Sequence, residues 1–166
     1  MTRGFTERSA RFRPSSKEEH VVQKAQEHFE RTLINIQGEL AGSVAALEHP
    51  NHEEALNYGE IFLRDNVPVM IYLLLQGRYA IVRQFLSVCL DLQSTSVQTR
   101  GVFPTSFVEE ENELVADYGQ RSIGRITSVD ASLWWPILCW IYVKRSGDKE
   151  FGRSQKVQRG LHLLLD

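Results

Sequence analysis

The sequence predicts an all-α chain built as an array of helical hairpins. Two observations carry that expectation. Apolar residues recur at the three- and four-residue spacing of a helix in the segments long enough to hold one. Helices that are apolar all round also alternate with helices that are apolar on one side, giving the order inner, outer, inner, outer. The two halves share no obvious identity, so the repeat is one of pattern.

The first helix is predicted from about Ser16 to Ile36. Ser16 and Glu19 read as a capping box, and Val21, Val22, Ala25, Phe29, Leu33 and Ile36 follow at helical spacing. A long loop, "GELAGSVAALEHPNHEEALNYGEIFLRD", comes next, punctuated by Gly, Pro and Asn. The second helix, about 67–76, has Asn66 as its cap and Pro68 in its first turn, where a missing N–H costs nothing. Its residues are apolar on every side, so it should be buried throughout, and Gly77 ends it. The third helix, 79–93, carries Ile81, Val82, Phe85, Leu86, Cys89 and Leu92 on one stripe.

Residues 94–128 read as mostly irregular, with a short strand or hairpin around Val102 to Tyr118. The fourth helix is placed from about Leu133 to Lys144 with Ser132 as its cap. Starting it at Asp130 would put Pro136 at the sixth helical position, where a backbone donor is needed. "RSGDKEF" breaks the chain, and a fifth helix over 154–165 presents Val157, Leu161, Leu164 and Leu165. Residues 1–16, with four arginines and one acid, read as a flexible basic tail, an Arg-rich transit peptide being the alternative. Residues 17–166 form one domain. Its two inner helices lack partners for their apolar faces, so either another chain covers them or this is a piece of something longer.

The bulk numbers exclude some functions. The 166 residues are 42% hydrophobic and carry a net charge of −2. That balance leaves no electrostatic footprint for nucleic acid or an anionic membrane surface. The longest apolar run, "VPVMIYLLL", is too short to span a bilayer. Cys89 and Cys139 sit within apolar helical runs as small hydrophobes, which points to a reducing compartment, the cytoplasm, rather than a disulfide framework.

Chemistry concentrates in three stretches. "SVDASLWWPILCWIY" places Asp130 at the mouth of an apolar run opening with Trp134 and Trp135. Asp130 is either a helix cap or loop ion pair, or a general acid that keeps its proton. A helix N-terminus favours the anion by roughly 0.3–1 kcal/mol. Burial beside indoles can raise a carboxyl pKa by up to about 3–5 units, so desolvation wins if the rings cover the group. "NYGEIFLRDN" combines Tyr58 and Phe62 with Arg64 and Asp65, the aromatic faces and bidentate polar groups that a sugar ring requires; the plainer reading is an Arg–Asp loop pair beside core aromatics. "ADYGQRSIGRITSVD" brings Asp117, Tyr118, Gln120, Arg121 and Arg125 into a loop hinged at Gly119 and Gly124, without the strand–turn–helix context of a nucleotide motif. His49 and His52 lack further ligands and read as a solvated turn, not a metal site. The acidic run at 109–113 reads as a solvated loop, and no Ser-His-Asp or Cys-His spacing stands out.

"EALNYGEIFLRDNVP", "LQGRYAIVRQFL", "GVFPTSF", "LVADYGQRSIGRITSVDASLWWPILCWIYVKRSGD" and "VQRGLHLLLD" occur in that order. Together they resemble the N-terminal part of the alkaline/neutral invertases, glycoside hydrolase family 100, over roughly Ser43 to Asp166. The resemblance implies an (α/α)6 toroid of which about the first two hairpins of six are present. It implies hydrolysis of sucrose to glucose and fructose with inversion, and neither a metal nor an organic cofactor. It gives Asp130, the Asp of "VDxxxWW", the role of general acid. Asp65 would bind sugar hydroxyls, Tyr58, Phe62 and Arg64 would shape the subsite, and Trp134 and Trp135 would complete its wall and keep the acid dry. It implies sucrose as partner and, for the full-length enzyme, a homo-oligomer.

Departures from the family pattern set limits on that expectation. Family members are more than twice this long, and their base, a Glu, lies far downstream; the acids at 109–113 do not replace it. Pro136 stands where an apolar residue is expected in plant relatives. The isolated chain is therefore expected to be inactive. The alternative is a non-catalytic, truncated helical fragment that binds sugar or docks on another subunit. Another toroid enzyme acting on sugars, such as an epimerase, would want paired pocket histidines, and those present are misplaced.

Overall fold

The computed structural model describes residues 15–45, 59–120 and 130–166. It divides into two units, Met1–Arg31 and Thr32–Asp166. The expectations for Tyr58, His49, His52, Arg121, Gly124, Arg125 and most of the basic tail fall outside the described residues.

The first unit is helix α1, Ser16–Thr32, up to its last residue. Its capping box lies one residue earlier than the spacing suggested. The Ser15 N–H donates to Glu18 Oε2 at 2.6 Å, and the Glu18 N–H donates to Ser15 Oγ at 3.4 Å. No residue of α1 is buried. It also stops four residues sooner than predicted, because Leu33–Ile36 is strand β1, not helix. The apolar spacing of Leu33 and Ile36 fits a four-residue strand with buried ends equally well.

The second unit is not all-α. Among the described residues it is helix-rich, with two small antiparallel sheets that correct the all-helical expectation. β1 turns through Gln37 and Gly38 into β2, Glu39–Ser43. Both turn residues have positive φ, 54° and 82°, as a two-residue hairpin loop matched to strand twist requires. β3, Ile61–Phe62, pairs with β4, Ser106–Glu110, which pairs in turn with β5, Glu113–Asp117. The hairpin expected within 102–118 is present, and the acidic run forms its tip: Glu111 and Asn112 are the turn, with φ 51° and 66°.

Helix α2 is Leu63–Leu75 and α3 is Tyr79–Asp91. α2 begins four residues before the predicted start, so Asn66 is not its cap and Pro68 is at its sixth position. Nor is α2 buried all round, since Leu75 is exposed. α3 buries Ile81, Val82, Phe85, Leu86 and Cys89 as foreseen, adding Val88 and Leu90. Helix α4, Ala131–Ser146, starts directly after Asp130, which places Pro136 at the sixth position that the sequence argued against. Two helices that pack on each other, α2 and α4, thus carry the same internal proline. Each proline removes one N–H from the second turn, and packing outweighs that loss. Gly147, with φ 77°, closes α4 as a left-handed cap.

The chain break predicted at "RSGDKEF" holds a short helix, α5, Lys149–Arg153, before α6, Gln155–Leu165. Asp148 accepts from the Phe151 N–H and Ser154 from the Val157 N–H, one cap for each helix. The core joins α2, α3 and α4 to β3 and β4 through Leu63, Met70, Leu73, Phe85, Leu86, Phe103, Phe107, Trp135 and Leu138. Cys89 and Cys139 are free and buried, and burial pushes the Cys139 thiol up to about 11. No helix among the described residues is long and apolar enough to cross a membrane.

Candidate active site

β3 runs without a break into α2, and the Leu63 N–H donates to Thr105 O at 3.0 Å, which fixes the start of α2 against β4. Arg64 and Asp65 are therefore held in the first turn. Asp130 occupies the N-cap position of α4, and its carbonyl accepts from the Leu133 and Trp134 N–H groups at 3.0 Å each. Its carboxylate does not cap the helix. Instead Arg64 Nη1 lies 3.5 Å from Asp130 Oδ1, while Arg64 Nε lies 3.7 Å from Asp65 Oδ1. The guanidinium thus bridges the carboxylates of two adjacent helix N-termini, where partial positive charge also accumulates.

The start of α4 is anchored from below. Ser132 Oγ accepts a buried hydrogen bond from the Phe103 N–H at 3.0 Å. The indole of Trp135 stacks on Phe103, 4.7 Å between centroids and 13° between planes, and its N–H donates to Leu86 O at 3.1 Å. Trp135 is fully buried, 0% exposed. It is a core side chain, where the sequence expectation made it part of a subsite wall. Successive helical residues point about 100° apart, and here that turn carries Trp134 toward the rim of the core face while Trp135 lies at its centre. The other, Trp134, is 37% exposed.

The dry lid over Asp130 is also absent from the described residues. Its side chain is 46% exposed and faces a guanidinium.

Of the predicted residues, the structure brings Arg64, Asp65 and Asp130 together. Phe62 is half-buried on β3, opposite Ser106. Asp117 ends β5, is 2% exposed, and its Oδ1 accepts from the Gly119 and Gln120 N–H groups at 2.9 and 2.8 Å. Tyr118 donates its hydroxyl to Leu92 O at 2.5 Å. Both residues hold the exit of β5, a structural use of "ADYGQ". Sequence reasoning gave Ser132 the role of helix cap and missed its bond to Phe103, as well as a part-buried pair, Glu60 and Ser106, whose hydroxyl donates to Glu60 Oε2 at 2.5 Å. Only tertiary pairing reveals them.

A family model for alkaline and neutral invertases matches residues 25–166. Alkaline/neutral invertase CINV2 of Arabidopsis thaliana is 35% identical over 157 residues, covering 87% of this chain and 28% of that protein. Cytosolic invertase 1 of Oryza sativa subsp. japonica is 36% identical, with 87% and 28% covered. Neutral/alkaline invertase 3, chloroplastic, from the same rice, is 34% identical, with 87% and 27% covered. The chain spans less than a third of the length of these relatives. Cytosolic and organellar forms both occur among them, so the likeness does not assign a compartment. On the extent of the family match and on these identities, the chain belongs to the alkaline and neutral invertase family.

Proposed function

We propose that this chain forms the N-terminal part of a sucrose-hydrolysing site in which Asp130 is the general acid. The observation that carries the reading is the Arg64–Asp130 pair. It puts a carboxylate released from capping at the convergent N-termini of α2 and α4, beside Asp65. In an inverting glycosidase one carboxyl protonates the bridging oxygen while a second activates water on the opposite face, roughly 6.5–9.5 Å away. Asp130 takes the first role; Arg64 and Asp65 hold sugar hydroxyls. Trp134 offers a ring face, Phe62 and Tyr58 shape the subsite, and Trp135 holds the floor from within the core. No metal and no organic cofactor enters this reaction.

The second carboxyl and the cover over Asp130 belong, in this reading, to later hairpins of an (α/α)6 toroid. Without that cover Asp130 is half-exposed beside a guanidinium, and in this reading the chain alone does not turn over sucrose. The same exposure favours the second reading, a non-catalytic helical fragment that binds sugar or docks on another subunit.

Grafting separates the two. Residues 25–166 replace the matching segment of Arabidopsis thaliana CINV2, and glucose release from sucrose is followed for the graft and for the chain alone. The proposal expects turnover by the graft and none by the chain. A folded graft inert toward sucrose would favour the fragment reading.

A further inference from the structure

Asn66, in the second turn of α2, is 2% exposed. Its Oδ1 accepts from the Ser43 N–H at 2.8 Å, and its Nδ2 donates to Ser43 O and to Phe62 O, each at 2.9 Å. Toward Ser43 the amide imitates a neighbouring strand, satisfying both backbone groups at the end of β2. Toward Phe62 it closes the turn that contains Leu63, Arg64 and Asp65. One side chain therefore ties β2, the end of β3 and the first turn of α2 together. An apolar residue in its place would remove all three part-buried bonds and leave the Ser43 N–H and C=O without this partner.

The fit at this junction is tight on the other side as well. A Cβ on Gly42 would lie 2.5 Å from Ile61 Cδ1, so the Ile61 side chain of β3 occupies the space that a larger residue at 42 would need.

We infer that Asn66 is a positioning residue for the Arg64–Asp130 pair: by locking the turn that holds Arg64 onto β2, it aims the guanidinium at the N-terminus of α4. This rests on the reading of Arg64 and Asp130 as the polar centre of the sucrose site, but its test involves no sucrose. The Arg64 Nε–H resonance of the ¹⁵N-labelled chain is recorded with and without Asp130→Asn. That substitution should shift the resonance in the parent background, and no shift there would overturn the inference. In the Asn66→Asp background, which keeps the acceptor and loses both donors, the response to Asp130→Asn should disappear. In a Val157→Ala background, destabilised in α6 far along the chain, it should persist.

A response retained in Asn66→Asp overturns the inference, as does a response lost equally in Val157→Ala. Asn66→Ala is read in the same way if Asn66→Asp does not fold. Loss of fold in both also counts against the inference, since it assigns Asn66 to stability and not to aim. A failed sucrose assay leaves every one of these outcomes intact, so the two claims fail separately.

Discussion

At the scale of single residues, the two adjacent tryptophans have opposite fates, and stability measurements should divide them. Trp135 is buried against Phe103 and bonded to Leu86 O. Trp135→Ala should cost about 3–5 kcal/mol in urea unfolding, the usual range for deleting a buried indole. Trp135→Phe keeps the stack and loses only the indole bond to Leu86 O, a carbonyl inside α3 that retains its helical partner, so it should cost about 0.5–1.5 kcal/mol. Trp134→Ala should cost well under the Trp135→Ala value. Equal losses at the two positions would show that the burial assigned here is wrong. The "WW" motif was legible as aromatic and as adjacent to Asp130. Which ring faces the core was not, because that depends on where α4 begins, and the sequence placed it two residues late. Asn66 was misread for a related reason: Asn before an apolar run is a good cap signal, and only the pairing of β2 shows its amide already engaged.

At the scale of elements, Asp148 ties three helices. Its Oδ1 accepts from the Phe151 N–H at 2.9 Å, and its Oδ2 accepts from the Tyr142 hydroxyl at 2.8 Å and Arg83 Nε at 3.3 Å. The Phe151 N–H first, then the Tyr142 hydroxyl, hold its carboxyl below the ordinary 3.8. Burial, then the bond to Asp148, push Tyr142 up to about 12. A depressed carboxyl binds fewer protons when folded, so its contribution is present above pH 3.8 and is lost as pH falls through the lowered value. A raised phenol acts at the other end: its contribution is present below pH 10 and is lost as pH rises toward 12. Melting curves against pH should therefore fall on both sides. Asp148→Asn should flatten the acid limb, its gap from the parent closing at the lowest pH. An unchanged acid limb would exclude Asp148 from that role.

Turn geometry supplies a second test at this scale. Gly101 has φ 85°, and a Cβ there would lie 2.0 Å from Leu163 O in α6. Gly101→Ala combines backbone strain with a clash against backbone, so it should destabilise by at least about 2 kcal/mol. Gly38, with φ 82° but nothing within 4 Å of a Cβ, should pay only for its dihedral, about 1 kcal/mol. The helices were largely legible because long apolar periodicity survives in any tertiary setting. The hairpin at 33–43 was not. Its turn is Gln37–Gly38 rather than Asn-Gly, and its short strands continue the helical spacing of α1.

At the scale of the whole molecule, α4 is apolar on both faces but covered on one. Leu133, Ile137 and Trp140 lie at helical spacing and are 60%, 45% and 63% exposed. Trp140→Glu should change stability by about 1 kcal/mol or less, the worth of a surface contact such as its stacking under Lys144. It should also lower the binding of a hydrophobic dye, as expected of an exposed apolar strip. A large loss of stability would mean that this face is already covered. The inner–outer alternation in the sequence foresaw uncovered apolar surface. It did not foresee the two sheets, which bind the start of α2 and set the direction of Arg64.

The central claim is that Asp130 delivers the proton to the leaving sugar, and turnover by the grafted enzyme carrying Asp130→Asn tests it most directly. The account predicts a fall in kcat of about 10²–10⁴-fold, with the melting temperature and far-ultraviolet spectrum unchanged. Near-parental turnover from that variant would contradict it.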